Sequence, residues 1–219
     1  MMGKRFGRCT EETWKDMKIR EDILDKKFRK FDGRVMFPSS HDIFDSPEIK
    51  EACYKVIGNL LEADNELLIT TKPSLNVVRD IIEKYKDKKD NIQFRFTITS
   101  TDNDKLTFWE RNAPRYEERK EALILAYKKG FKTSVSVEPF LDERPQDLIS
   151  EIGPYVTESI WVGPMNYVPR KGITEEEKPY YDKIRSISEK SNLQKIYDDL
   201  INTPKIHFKD SHTNRLGIT

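Results

Sequence analysis

Ile92-Gln93-Phe94-Arg95-Phe96-Thr97-Ile98-Thr99 alternates strictly between apolar and polar side chains. A strand has a side-chain period of two, so Ile92, Phe94, Phe96 and Ile98 share one face and Gln93, Arg95, Thr97 and Thr99 the other. Lys132-Thr133-Ser134-Val135-Ser136-Val137-Glu138 repeats the pattern, with Ser134, Ser136 and Glu138 together and Pro139 closing the strand. Outward from these, Arg34-Val35-Met36-Phe37 is stopped by Pro38, and Ser159-Ile160-Trp161-Val162-Gly163 gives a fifth strand. Leu67-Leu68-Ile69 reads as a continuous apolar strand with both faces covered.

Helical patterns separate these strands. Ser46-Pro47-Glu48 supplies an N-cap, a proline at the first helical position and an acid in the first turn. Behind it Ile49, Ala52, Cys53, Val56, Ile57, Leu60 and Leu61 mark one buried face. Further helices are expected from Leu75 to Lys86, from Tyr116 to Lys129 with Gly130 at the left-handed end, and from Arg144-Pro145 to Ile152. Glu11 to Lys30 reads as one or two short helices anchored by Trp14, Ile19, Ile23, Leu24 and Phe28. Beyond Pro169, helices from Glu175 to Lys190 and Leu193 to Ile201 give way to a polar tail.

Strand alternating with helix predicts an α/β protein built as a partial (β/α) TIM-like barrel of parallel strands. One domain covers residues 1–219, with barrel units over 1–168 and a C-terminal helical extension over 169–219. The apolar faces meet the helices, and the polar faces line the lumen. Each unsatisfied polar group there costs about 1–3 kcal/mol, so a bound polar ligand would supply partners. Trp14, Trp109 and Trp161 are read as core or loop packing, since aromatic residues mostly serve burial.

Lysine plus arginine (39) nearly balances aspartate plus glutamate (38), so the net charge of +1 gives no general pull toward nucleic acid or anionic membrane. Charged residues make up 35%, which fits a water-exposed surface, and no apolar run approaches membrane-spanning length. No apolar secretory core follows Met1, so a cytoplasmic location is expected. Two cysteines, Cys9 and Cys53, are too few for a disulfide framework.

Polar clusters follow the strands: Ser39-Ser40-His41-Asp42, Thr71-Lys72, Thr97 to Ser100, Glu138, and Gly163 to Asn166. Parallel strands deliver such clusters to one rim, where the βα loops open and helix N-termini point. Asp42 and Ser40 are also common turn formers, Lys72 also suits a solvated surface, and threonine at 97 and 99 also suits strand propensity. Glu138, a carboxylate at the end of an apolar strand, is costly to bury without a partner, and Arg95 is the expected one. A His41-Asp42 metal hydrolase site lacks any HxH or HExxH companion.

Val35-Met36-Phe37-Pro38-Ser39-Ser40-His41-Asp42-Ile43, Leu68-Ile69-Thr70-Thr71-Lys72-Pro73, Phe94 to Thr99 with Phe108-Trp109-Glu110 and Glu117-Glu118-Arg119, and Thr133 to Pro139 together resemble radical S-adenosylmethionine proteins. The likeness is to the branch similar to spore photoproduct lyase and spans Arg5 to Asn166. It implies a partial barrel holding a 4Fe-4S cluster on three cysteines of a CxxxCxxC loop. S-adenosylmethionine binds the fourth iron, and its reductive cleavage gives a 5′-deoxyadenosyl radical. A nucleic acid base as substrate and an electron-donating reductant protein as partner are further implications.

The cysteine loop is absent from this chain. In relatives a stretch like Met1 to Arg8 follows the third cluster cysteine, so the sequence is expected to start just past the motif, with the first strand missing and five strands left. A truncated reading frame, a cysteine-bearing partner chain and a degenerate protein all remain open, and the chain is expected to be inactive as it stands. A non-catalytic module that binds S-adenosylmethionine or a nucleoside is the alternative function. By the resemblance, Ser39, Ser40, His41 and Asp42 occupy the loop that contacts the methionine amino group, with Ser-Ser-His-Asp replacing the usual pattern of two glycines and a glutamate. Lys72 corresponds to a lysine that reaches the cofactor carboxylate. Thr97 and Thr99 correspond to the ribose-contacting strand, Glu138 to a lumen charge organising the cofactor, and Met165 and Asn166 to the adenine side.

Overall fold

The structure, a computed structural model, describes residues 19–39 and 41–218. Ser40, Cys9, Trp14 and Met1 to Arg8 lie outside the described residues. Six strands form one sheet: β1 (Val35–Phe37), β2 (Leu67–Thr71), β3 (Ile92–Thr97), β4 (Lys132–Val137), β5 (Ile160–Val162) and β6 (Ile206–Phe208). Every neighbouring pair is parallel, and the spatial order follows the chain order. After α1 (Glu21–Leu24), helices fill each crossover: α2 (Pro47–Glu62), α3 (Leu75–Lys84), α4 (Asn103–Trp109) with α5 (Tyr116–Lys128), α6 (Pro145–Ile152), and α7 (Lys178–Ile187) with α8 (Lys190–Leu200). The last helix, α9 (Asp210–Leu216), follows β6.

The alternation read in β3 and β4 becomes a difference in burial. Ile69, Phe94, Phe96, Val135, Val137 and Val162 are sealed from water against the helices. The opposite face is open. Thr70, Arg95 and Ser134 share one row of it, and Thr97, Ser136, Trp161 and His207 share the next. Met36 on that face is 52% exposed. Leu68 is only half-buried, which corrects the expectation that both faces of β2 are covered. Trp161 likewise lies half-buried on the open polar face rather than in the core.

Apart from the terminal nitrogens of Arg95, the polar residues at the centre of this face satisfy one another. Gln93 Nε2 donates to Ser134 Oγ at 3.1 Å, Arg95 Nε donates to the same oxygen at 3.3 Å, and Arg34 donates to Gln93 Oε1. Ser134 Oγ in turn donates to the Phe94 carbonyl at 3.2 Å. Cross-strand hydrogen bonding therefore lets polar side chains sit on a sheet without an apolar cover.

The segment read as a polar tail is a second correction. Residues Ile206–Phe208 pair with β5, so the C-terminal region is a member of the sheet and not only a helical extension, and five strands become six. Such a three-residue strand carries too little alternation to stand out in sequence. The α4 helix was also not anticipated; its N-cap Asp102 accepts from the backbone N–H groups of Asp104 and Lys105. Gly130 takes its expected left-handed place after α5, at φ +78°. No helix among the described residues is long and apolar enough to cross a membrane.

Gly163, just past the end of β5, lies tightly against the Lys209 and Ser211 side chains that follow β6. A Cβ there would meet Lys209 Cβ at 2.9 Å and Ser211 Oγ at 3.3 Å, whereas one at Gly153 would meet nothing within 4 Å. Gly163→Ala is expected to destabilise by about 1–3 kcal/mol through overpacking. Gly153→Ala is expected to be neutral or to stabilise by about 0.4–1 kcal/mol. Guanidinium chloride midpoints of the two variants check the contrast.

His212 is fully buried among Phe140, Tyr197 and Phe208, and its Nε2–H donates to the Leu193 carbonyl at 3.0 Å. Burial, aided by the nearby Arg215 charge, holds its pKa below the ordinary histidine value, and His41 is shifted in the same direction by desolvation. A depressed histidine pKa means that the unfolded chain takes up the proton first. Stability is then complete above about pH 6.5 and declines as pH falls below it. Denaturation midpoints are expected to be flat above that pH and to drop below it, with a shallower drop in His212→Gln.

Candidate functional site

Consecutive parallel strands bring the post-strand clusters to one rim, and backbone hydrogen bonds fasten the loops there. Ile98 N–H donates to the Ser136 carbonyl at 3.1 Å, Leu141 N–H to Thr99 at 3.0 Å, and Phe140 N–H to Gly163 at 3.0 Å. Beside this rim lies a cavity of about 800 Å³ lined by Asp42, Lys72, Trp109, Glu110, Pro139 and Met165, among others. That volume falls within the range of small-molecule sites, about 300–1,000 Å³.

Asp42 holds the first two loops together. Its Oδ1 accepts from the Ile43 N–H at 2.8 Å and from the Thr71 hydroxyl, and its Oδ2 accepts from the Lys72 N–H at 2.8 Å. Both carboxylate oxygens are thus engaged with protein, and the residue fixes the backbone from which the Lys72 side chain leaves. Thr70 Oγ1 adds a bond to the Pro38 carbonyl at 2.7 Å. His41 Nε2 lies 3.9 Å from Cys53 Sγ, and its ring meets Phe37 edge-on. Ser39 is exposed.

Thr97 ends β3 half-buried on the open face, in the row with Ser136. Thr99 lies past the end of the strand, so the period of two no longer governs it. It is 0% exposed, and its hydroxyl has no partner among the described residues. The structure therefore separates the two threonines: Thr97 faces the opening and Thr99 is enclosed. Asn166 is exposed on the loop after β5, whereas its neighbour Met165 lines the cavity.

Glu138 has a cation partner, but it is Lys209 rather than Arg95. Lys209 Nζ sits 2.9 Å from Glu138 Oε2 and 5.4 Å from the Trp161 ring centroid. Arg95 sits over the same ring at 5.4 Å. Lys209 follows β6 directly, so the missed strand also hid the partner.

Two residues that the sequence reading left without roles organise the cavity wall. Arg119 is 0% exposed and pairs with Glu110. It also donates through Nε to the Pro114 carbonyl at 2.7 Å and through Nη1 to the Thr97 carbonyl at 3.3 Å. The 110–114 loop, which lines the cavity, is thereby bound to the end of β3. Both lie in a strongly charged stretch, Glu110 to Glu121, so nothing in the sequence singles out the pair that burial joins. Behind the wall, Phe108 stacks on Tyr180 at 3.9 Å and Trp109 meets Tyr181 at 5.0 Å, fastening α7 to α4.

The described residues do not suit an iron–sulfur cluster. They contain no group of three or more His, Cys, Asp or Glu side chains placed to hold a metal ion. Burial pushes the Cys53 thiol up to about 11, which keeps it protonated. Comparisons with family models, curated proteins and solved structures find no match to this chain.

Asp42→Ala is expected to destabilise by about 2–3 kcal/mol, because three donors lose their acceptor. Asp42→Asn keeps one oxygen but turns an amide toward an N–H, so a loss of about 1 kcal/mol is expected. Thermal unfolding of both variants against the parent checks the order.

Proposed function

We propose that the rim binds S-adenosylmethionine or a closely related nucleoside, on the open face of a partial (β/α) barrel in a cytoplasmic protein. The observation that supports this reading is that Lys72, Thr97 and Glu138 stand at the ends of successive parallel strands on one rim, with Lys72 and the neighbour of Glu138, Pro139, lining a cavity of nucleoside-accommodating size. Lys72 offers a point charge to a carboxylate, and the Thr97 hydroxyl can both donate to and accept from a ribose hydroxyl. Asp42 acts by positioning Lys72, since its own oxygens are occupied. Thr99 contributes to the enclosed wall rather than to ligand contact.

The described residues hold no thiolate set for a 4Fe-4S cluster, so cofactor binding is the part of this reading that they can perform alone. Action on a nucleic acid base and electron transfer from a reductant protein belong to this reading only where a cysteine-bearing chain completes the site.

Titration calorimetry of S-adenosylmethionine into the cluster-free protein tests the proposal. Saturable binding is expected, weakened about tenfold or more in Lys72→Ala, as the loss of a charge-assisted contact of about 1.5–3 kcal/mol implies. Absence of both heat and thermal shift would refute it.

A further inference from the structure

Arg95 stands in the middle of the open face, half-buried, with Ser134 and the Trp161 ring as its contacts. Its Nε is engaged with Ser134 Oγ, while its two terminal nitrogens donate to no described residue and are not sealed from solvent. Two other cations nearby have a carboxylate of their own: Lys209 has Glu138 at 2.9 Å, and Arg34 has Glu66 at 3.6 Å. Arg95 has none among the described residues, and burial first, then the Arg34 charge, disfavours its charged form. A half-desolvated guanidinium beside a second one is unfavourable unless an anion joins them. Trp161 and His207, stacked at 4.8 Å, close the β6 side with flat rings that do not compete for the fork.

We propose that this face carries an oxyanion site centred on Arg95, taking the phosphate group of a small phosphate monoester. The planar fork of terminal N–H groups matches two oxygens of a phosphate, and Arg95 supplies the charge that no carboxylate among the described residues meets. The site lies one row nearer the strand starts than Thr97, about 7 Å below it by strand rise, and uses none of the rim residues. It stands whether or not the rim binds a nucleoside.

Thermal shift and titration calorimetry at constant ionic strength, with inorganic phosphate and glycerol 3-phosphate as probes, test this. In the parent protein a saturable rise in Tm is expected, about 5–10 °C when the probe is ~100-fold above its Kd. Arg95→Gln should abolish the rise while keeping its probe-free Tm at or above the parent value, because a like-charge contact is relieved. Arg95→Lys, which retains charge but not the fork, should bind about tenfold more weakly. Tighter binding of the ester than of inorganic phosphate supports recognition of an ester, and equal affinity supports a phosphate site indifferent to the rest. No shift in the parent, or the same shift in the parent and both variants, overturns the proposal. The rim is assayed separately with S-adenosylmethionine, so either reading can fail alone.

Discussion

Apolar side chains on alternate positions of β2 to β5 press the helices onto one face of the sheet, and the rest of the molecule is organised around that contact. Phe94 and Phe96 stack on each other at 5.3 Å, and Phe131 packs against Phe94 at 5.5 Å. Each buried side chain of this size contributes about 1.5–3 kcal/mol relative to exposure, which fixes register as well as stability. A one-residue slip of β3 would carry Arg95 and Gln93 into the helix layer and the phenylalanines into water. The same constraint that builds the core therefore decides which residues face outward.

On the outward side the molecule relies on polar interactions, and they fall into two kinds. At the rim, Asp42 and Arg119 each bind several backbone groups from different loops, so single side chains set the shape of the cavity wall. On the face below, Gln93, Ser134 and Arg95 bond across strands and need no helix above them. Some charged groups there have a specific counterpart, such as Glu138 with Lys209 and Glu110 with Arg119. Arg95 has no carboxylate partner among the described residues, and an uncompensated charge in a sheet is unfavourable without a further contact.

The long strands and amphipathic helices were legible because they repeat. Phe94 and Phe96 in β3, the Val56 to Leu61 stripe of α2, and Gly130 after α5 all follow from period and local chemistry. The rim was legible as a set of polar clusters but not as contacts. Nothing in the sequence distinguishes an aspartate that binds a ligand from one that, like Asp42, binds Thr71 and Lys72. Lys209 was invisible as the partner of Glu138 because long-range pairing is decided by a strand only three residues long. Trp161 was misread for a related reason: its row in the register, and not its hydrophobicity, places it on the open side. Thr99 shows the limit of alternation, since the rule lapses two residues after the strand ends.

The position of β6 has a consequence for how the molecule is assembled. Every strand pairs with its predecessor in the sequence, so a chain emerging from the ribosome can add each strand to an edge that already exists, and each addition closes only one crossover. The ammonium of Lys209 arrives with the last of these additions. Until then Glu138 is a carboxylate awaiting its counter-ion on an otherwise finished surface, so the electrostatics of the opening mature only when translation has passed β6.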